Sequence, residues 1–255
     1  MDLTVLGTAE CAPQPHNDTA SFCINGRVLI DTGWNVVRRL LEAGLAPTAI
    51  EAVVLTHCHH DHYLGLTGLI FEQGLEGAHR GGGCSLDVYG PAGLVARVVE
   101  DIRRLLQIDR FPELDYPVRV HDVFSGDRLD VCDLHVHAVG ARHNVPGLHY
   151  RVEDAGGSVV FSGDTAYSPD LIDLARGCDL LIHEASHGAE STRDQPGSGH
   201  AGAPDAADIA ARAEARALWL VHLGDGQCEA ALAAARKQFA EVSVPEPLRT
   251  YRVPT

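Results

Sequence analysis

An α/β sandwich in four layers (αββα), two mixed β-sheets packed face to face with helices outside each, is the fold class this sequence predicts. Three observations predict it. Short apolar runs of strand length recur along the whole chain. Stretches with helical spacing of apolar residues separate many of them, and breakers such as Asp31-Thr32-Gly33 and Tyr89-Gly90-Pro91 fall at run ends. At 255 residues the chain is long enough for a sizeable core, and residues 1–255 read as a single domain.

The elements follow in order. Strand-like runs fall at Leu3–Leu6, Ser21–Ile24, Val28–Ile30, Val53–Thr56, Leu86–Tyr89, Leu134–Ala138, Leu148–Val152, Ser158–Phe161, Leu180–Ile182 and Leu218–Val221. Helical segments are expected at Asn35–Ala43, His62–Glu72, Ala92–Gln107, Pro169–Arg176, Pro204–Ala215 and Cys228–Ala240. No internal repeat is visible. The patch Gly81-Gly82-Gly83 reads as a loop and lacks the spacing of a phosphate cradle.

The richest stretch in chemistry is Thr56 to Leu66, THCHHDHYLGL, directly after the apolar run Ala52-Val53-Val54-Leu55. It places His57, His59, Asp61 and His62 within six positions. His57 and His59 share a face in extended backbone, and Asp61 and His62 follow as the chain turns into a helix. Imidazoles suit zinc, and carboxylates beside them admit manganese or iron. Three further candidates sit at expected strand ends: His143 after Leu134–Val139, Asp164 after Val159-Val160-Phe161, and His222 after Leu218–Val221. Together they make seven potential ligands, enough for two divalent ions.

With these residues the chain resembles the metallo-β-lactamase superfamily, whose first motif is H-x-H-x-D-H. The likeness runs from Leu3 to about Phe239. It implies one ion on His57, His59 and His143, another on Asp61, His62 and His222, and Asp164 bridging them. It further implies a metal-bound hydroxide as nucleophile. The continuation Asp61 to Leu69, the segment His183-Glu184-Ala185 and the pair Gly199-His200 resemble the ribonuclease Z-like branch. That resemblance implies that Glu184 orients His200, and that His200 stabilises developing charge or protonates the leaving oxygen. Asp31 resembles a buried Asp that supports a ligand histidine. Tyr167 resembles a tyrosine of the lactonase branch that contacts substrate, which keeps lactone, carboxylic ester or thioester hydrolysis as the alternative to phosphodiester hydrolysis.

Charge and composition restrict the reading. Thirty-five acidic residues against 20 Lys and Arg give a formal net charge of −15. Proteins that grip long polyphosphate chains carry a basic face instead. Only twenty residues separate His143 from Asp164, where the ribonuclease Z family inserts the arm that holds transfer RNA. The expected substrate is therefore a small molecule, with neither long nucleic acid nor membrane expected as a partner and a homodimer left open. The seven cysteines (11, 23, 58, 84, 132, 178 and 228) form no C-x-x-C pair, no apolar run reaches the length of a membrane span, and no leader is expected. A cytoplasmic protein with reduced thiols is expected. Cys58 is expected to point away from the ions. The expectation as a whole is a hydrolase with two divalent ions, zinc first, acting on a small or cyclic phosphodiester, with Asp61, Glu184 and His200 in the chemistry and Tyr167 on the substrate.

Overall fold

The computed structural model describes residues 1–80, 85–195 and 197–253, with residues 77–80 as backbone only. The glycine patch at 81–83 and Cys84 lie outside the described residues. The first half of the chain contributes β1 (Asp2–Ala9), β2 (Asp18–Thr19), β3 (Ser21–Ile24), β4 (Val28–Ile30), β5 (Ala52–Val54), β6 (Leu86–Pro91) and β7 (Val118–Val123). The second half contributes β8 (Arg128–Val131), β9 (Leu134–Gly140), β10 (Leu148–Asp154), β11 (Gly157–Phe161), β12 (Leu180–Glu184), β13 (Leu218–Val221) and β14 (Val242–Ser243), before β15 (Thr250–Arg252) returns to the first sheet. The sheets run β15-β1-β3-β4-β5-β6-β7, with β2 beside β1, and β14-β13-β12-β11-β10-β9-β8. Both are mixed: β4, β5, β6 and β7 are mutually parallel, as are β11, β12, β13 and β14, and antiparallel ladders flank them.

The layers follow from two-residue alternation. Val28, Ile30, Ala52, Val54, Val159, Phe161, Leu180 and Ile182 point into one core between the sheets. Their neighbours Leu29 and Val53 pack outward with Val36, Leu40, Leu66, Leu69 and Val99. On the other side, Val160 and Leu181 pack outward with Leu171, Ala206, Ile209 and Ala231. These outer partners come from helices α1 (Val36–Glu42), α2 (His60–Tyr63), α3 (Gly65–Arg80), α4 (Val95–Leu105), α5 (Pro169–Leu174), α6 (Ala203–Arg212) and α7 (Cys228–Ala235). The central strands are therefore apolar on both faces, as parallel strands covered by helices must be.

Three expectations are corrected. The helix expected over His62–Glu72 is two helices, α2 and α3. Gly65 lies where a Cβ would sit 2.5 Å from the Thr32 carbonyl oxygen, and its N–H donates to the Gly33 carbonyl at 2.8 Å, so the chain bends to pack backbone on backbone. The second of these helices also runs past the expected end at Glu72, up to Arg80. The other five helices all end one to five residues earlier than expected, and α1 and α4 also start one and three residues later. Strands β2, β7, β8, β14 and β15 were not foreseen.

Candidate metal centre

Six polar residues leave the sheets at the same end. Asp31 follows β4, Thr56 and His57 follow β5, Asp164 follows β11, Glu184 closes β12, and His222 follows β13. These are carboxyl ends of parallel strands, where open α/β sheets place their ligands. The strand ends are joined across the sheets there: Leu148 donates its N–H to the Thr56 carbonyl at 2.8 Å, and His222 donates to that of Thr8 at 2.8 Å. Gly163 turns the chain toward Asp164 at φ 55°, and a Cβ there would lie 2.8 Å from Thr56 Cβ, so the position requires glycine. Asp31 (φ 53°) and His222 (φ 58°) hold left-handed backbone without being glycine, which costs about 1 kcal/mol or more each. Such strain at two polar residues of one site marks positions set by side-chain geometry.

The sequence-predicted ligands come together in two adjoining groups. In the first, His57 Nε2 and His143 Nε2 lie 3.1 and 3.0 Å from His59 Nδ1. Tetrahedral nitrogen ligands on zinc at about 2.0–2.1 Å would lie ~3.3 Å apart, so three converging nitrogens at these distances suit one ion. In the second, His62 Nε2 lies 3.2 Å from Asp61 Oδ2 and His222 Nε2 3.5 Å from the same oxygen. Asp164 belongs to both groups, with Oδ2 3.7 Å from His57 Nε2 and 3.5 Å from His222 Nε2, and Oδ1 3.5 Å from His62 Nε2. Within each group the candidate ligand atoms all lie within 4.8 Å of one another.

The far nitrogens are held. Asp31 accepts from His62 Nδ1 at 2.7 Å while also accepting from the Thr56 N–H at 2.8 Å and hydroxyl at 2.7 Å. The Gly199 carbonyl lies 2.7 Å from His143 Nδ1, and Ser186 Oγ lies 2.8 Å from His222 Nδ1. These contacts aim the opposite nitrogens inward, the arrangement that supports metal-bound histidine. His62 Nε2 is buried with no hydrogen-bond partner of proper geometry, an orphan whose surroundings are two carboxylates and two imidazoles. A cation answers that orphan, and it also answers the cost of burying Asp61 and Asp164 together. The donor set therefore fits borderline divalent metals.

Electrostatics divides the two groups. Burial pushes the imidazoles of His57 and His59 below the ordinary histidine range, with neighbouring imidazoles adding to it. Burial acts on His62 and His222 in the same sense, but Asp164, Asp31 and Asp61 outweigh it. His62 rises well above its usual range and His222 to about 9. Burial would raise the Asp61 and Asp164 carboxyls, yet the surrounding histidines hold both well below the usual carboxylate range.

A third constellation borders both groups. His200 Nδ1 lies 2.9 Å from Glu184 Oε1, and Glu184 is itself held by the N–H groups of Thr165 (2.9 Å) and Ser186 (3.0 Å) and by the Ser186 hydroxyl (2.8 Å). The His200 ring stands 4.9 Å from that of His143 and 5.7 Å from that of His222, and 28% of its side chain is exposed. Burial lowers its pKa, but Glu184 and then Asp164 raise it above the ordinary value. Ser186, which joins Glu184, His200 and His222, was missed by the sequence reading, which stopped at His183-Glu184-Ala185.

The other residues singled out lie as follows. Tyr167 donates its phenol to Asp208 Oδ2 at 2.7 Å, accepts from Arg212 Nη1 at 2.6 Å, and carries the Arg193 guanidinium 3.9 Å over its ring. His183 is buried and bonds the Glu184 carbonyl through Nδ1 at 2.7 Å. Cys58 packs into the outer core under the first sheet, and burial pushes its thiol up to about 12. His60 lies against Tyr63, their ring centres 5.6 Å apart. His16 lines a separate cavity with Arg38 and Arg39.

Comparison with known proteins agrees with this picture. Ribonuclease Z of Methanothermobacter thermautotrophicus is 28% identical over 99% of this chain and 97% of its own length. That alignment spans 306 positions against 255 residues here, so about fifty positions of the relative have no counterpart. Among solved structures, the metallo-β-lactamase fold protein YhfI of Bacillus subtilis superposes with a TM-score of 0.80 at 23% identity, over 98% of both chains. The short form of human tRNase Z gives 0.79 at 24% identity over the whole of both chains. A diphosphatase of the PhnP family gives 0.70 at 22%, over 98% of this chain and 96% of that one. These three show the αββα fold. A family model described as the β-lactamase superfamily domain matches residues 26–223, which hold every one of the ligand candidates, and the chain belongs to that superfamily.

Proposed function

We propose that this chain is a dinuclear metal-dependent hydrolase acting on small or cyclic phosphodiesters. The observation that carries the reading is the Glu184–His200 pair standing at the exposed side of the two ligand groups. His57, His59 and His143 would hold one divalent ion, Asp61, His62 and His222 the other, and Asp164 would contact both; zinc suits the donors best, with manganese or iron acceptable. Bound there, such ions supply an acidified water and neutralise the charge of the diester.

The protein's own groups do the rest. Glu184 fixes His200 through Nδ1, leaving Nε2 as the nitrogen for a ligand. Glu184 raises the pKa of that imidazole above its ordinary value, which favours the protonated form that can give its proton to the departing alkoxide. Asp61, within reach of both His62 and His222, would take a proton from the attacking water. Small size of substrate is supported by three facts. The net charge is −15, the twenty residues between His143 and Asp164 form only the β10–β11 hairpin, and about fifty positions of the ribonuclease Z relative are missing here. Lactone hydrolysis would use the Tyr167 phenol, whose hydrogen bonds are already taken by Asp208 and Arg212.

The leaving group tests this. In metal-reconstituted protein, His200→Ala should slow cleavage of a diester with an alkyl alcohol leaving group by about 10²–10⁴-fold. Cleavage of bis(p-nitrophenyl) phosphate, whose leaving group needs no proton, should suffer far less. Tyr167→Phe should change diester turnover little. Equal losses on both diesters in His200→Ala would remove the proton-donor role from His200, and turnover of a short lactone alone that collapses in Tyr167→Phe would replace this reading with the ester hydrolase.

A further inference from the structure

We infer that the cavity beside His143 receives a second phosphate group of the substrate, held by Arg142. On this inference, which rests on the phosphodiesterase reading above, the chain selects small phosphodiesters that carry an additional phosphomonoester.

The cavity has a volume of about 420 Å³, and its wall includes Arg142, His143, Asn144, Tyr167 and Arg193. That is within the range of sites for small molecules, roughly 300–1,000 Å³. It is larger than a phosphate and has room for the sugar or alcohol to which one is attached. Because His143 belongs both to the wall and to the first ligand group, a molecule in the cavity abuts the reacting centre.

The charges on that wall are unequal. Arg193 is paired with Asp208 at 2.5 Å, and Arg212 reaches the same carboxylate at 3.8 Å. Arg142 has no ion pair among the described residues. In a chain with 35 acidic side chains against 20 Lys and Arg, a guanidinium without an ion pair on this wall is a position where anions gather. Its base is fixed: the Arg142 N–H donates to Thr165 Oγ1 at 3.1 Å, and the Ala166 N–H donates to the Arg142 carbonyl at 2.8 Å. The loop that carries Asp164 therefore also sets where Arg142 starts. A guanidinium presents a planar fork that matches two phosphate oxygens, which a point charge does not. The Asn144 amide on the same wall offers a further neutral donor.

The test compares substrates within each protein, so that any misfolded fraction cancels. A dinucleoside monophosphate and the same molecule with a terminal 5′-phosphate are hydrolysed by metal-reconstituted wild type, Arg142→Gln and Arg142→Lys, with bis(p-nitrophenyl) phosphate as reference. A charge-assisted contact contributes about 1.5–3 kcal/mol, so the wild type should prefer the phosphorylated dinucleotide by roughly 10–100-fold in kcat/KM, mostly through KM. In Arg142→Gln that ratio should fall to about one, and Arg142→Lys should recover part of it. A wild-type ratio near one, or a ratio that survives Arg142→Gln, overturns the inference while the hydrolase stands. A gain that keeps growing with oligonucleotides beyond two units overturns it in favour of a longer nucleic acid track. Failure to cleave any of the three diesters overturns the phosphodiesterase and this inference together.

Discussion

Two pairs of histidines are fully buried in the second sheet and its neighbourhood, and they are opposites. His62 and His222 face Asp61 and Asp164 and are pushed toward the protonated form, His222 to about 9. His149 and His183 lie behind them, in the strands that flank β11. Their neighbours Tyr150 and Ile182 point into the inner core, so the two imidazoles lie on the outer face of the sheet. Burial holds both below the ordinary range, His149 at about 4, and the Nε2 atoms of both have no hydrogen-bond partner among the described residues. Burial is common to all four; carboxylates outweigh it only in the front pair, whereas Glu184 and Asp205 do not outweigh it at His183. The comparison teaches that this fold buries neutral histidine readily and concentrates its buried carboxylates where a cation would be held.

The back pair gives the larger expected effect. The folded pKa of His149 is depressed, so as pH falls the unfolded chain takes up a proton first and the folded state loses stability from about pH 6.5 down to about pH 4. The loss is about 3 kcal/mol for this one residue. Thermal or urea unfolding of metal-free protein across that range should show it. In His149→Asn, which keeps a donor for the Ser162 carbonyl (2.6 Å in the wild type), that part of the slope should vanish. An unchanged slope would break the contrast between the pairs.

The front pair is tested through its supports. Ser186→Ala removes the hydroxyl beside His222 Nδ1, and Asp31→Asn removes the carboxylate beside His62 Nδ1. Each should weaken binding of one metal equivalent by about 10–100-fold while the other is retained. Competition with a chromophoric chelator measures this. Loss of both equivalents alike in either variant would mean that the two groups do not bind separately.

The parts of this site that could be read from the sequence are those where strand and ligand are adjacent. β4, β5, β11, β12 and β13 are short apolar runs buried on both faces, and each ends at or just before a polar residue that the fold uses. Ser186 was not legible because a serine two places after Glu184 has no periodic or compositional signature; only the return of His200 and His222 to that point gives it a role. Strands β7 and β8 mix charged and apolar residues at a partly exposed sheet edge, and β14 and β15 are too short to exist without β13 and β1 beside them. The left-handed backbone at Asp31 and His222 was likewise invisible, since neither residue type demands it.

The central claim is that Asp164 joins two metal sites into one hydrolytic centre. Its most direct test is metal content and bis(p-nitrophenyl) phosphate turnover of wild type and Asp164→Ala, each reconstituted with zinc or manganese. The account predicts two equivalents bound and diester cleaved in the wild type. In the variant it predicts loss of at least one equivalent and turnover reduced by three orders of magnitude or more, on the order of the ~4 kcal/mol that such a centre supplies to the transition state. Wild-type protein that binds no divalent metal, or a variant as active as the wild type, would contradict it.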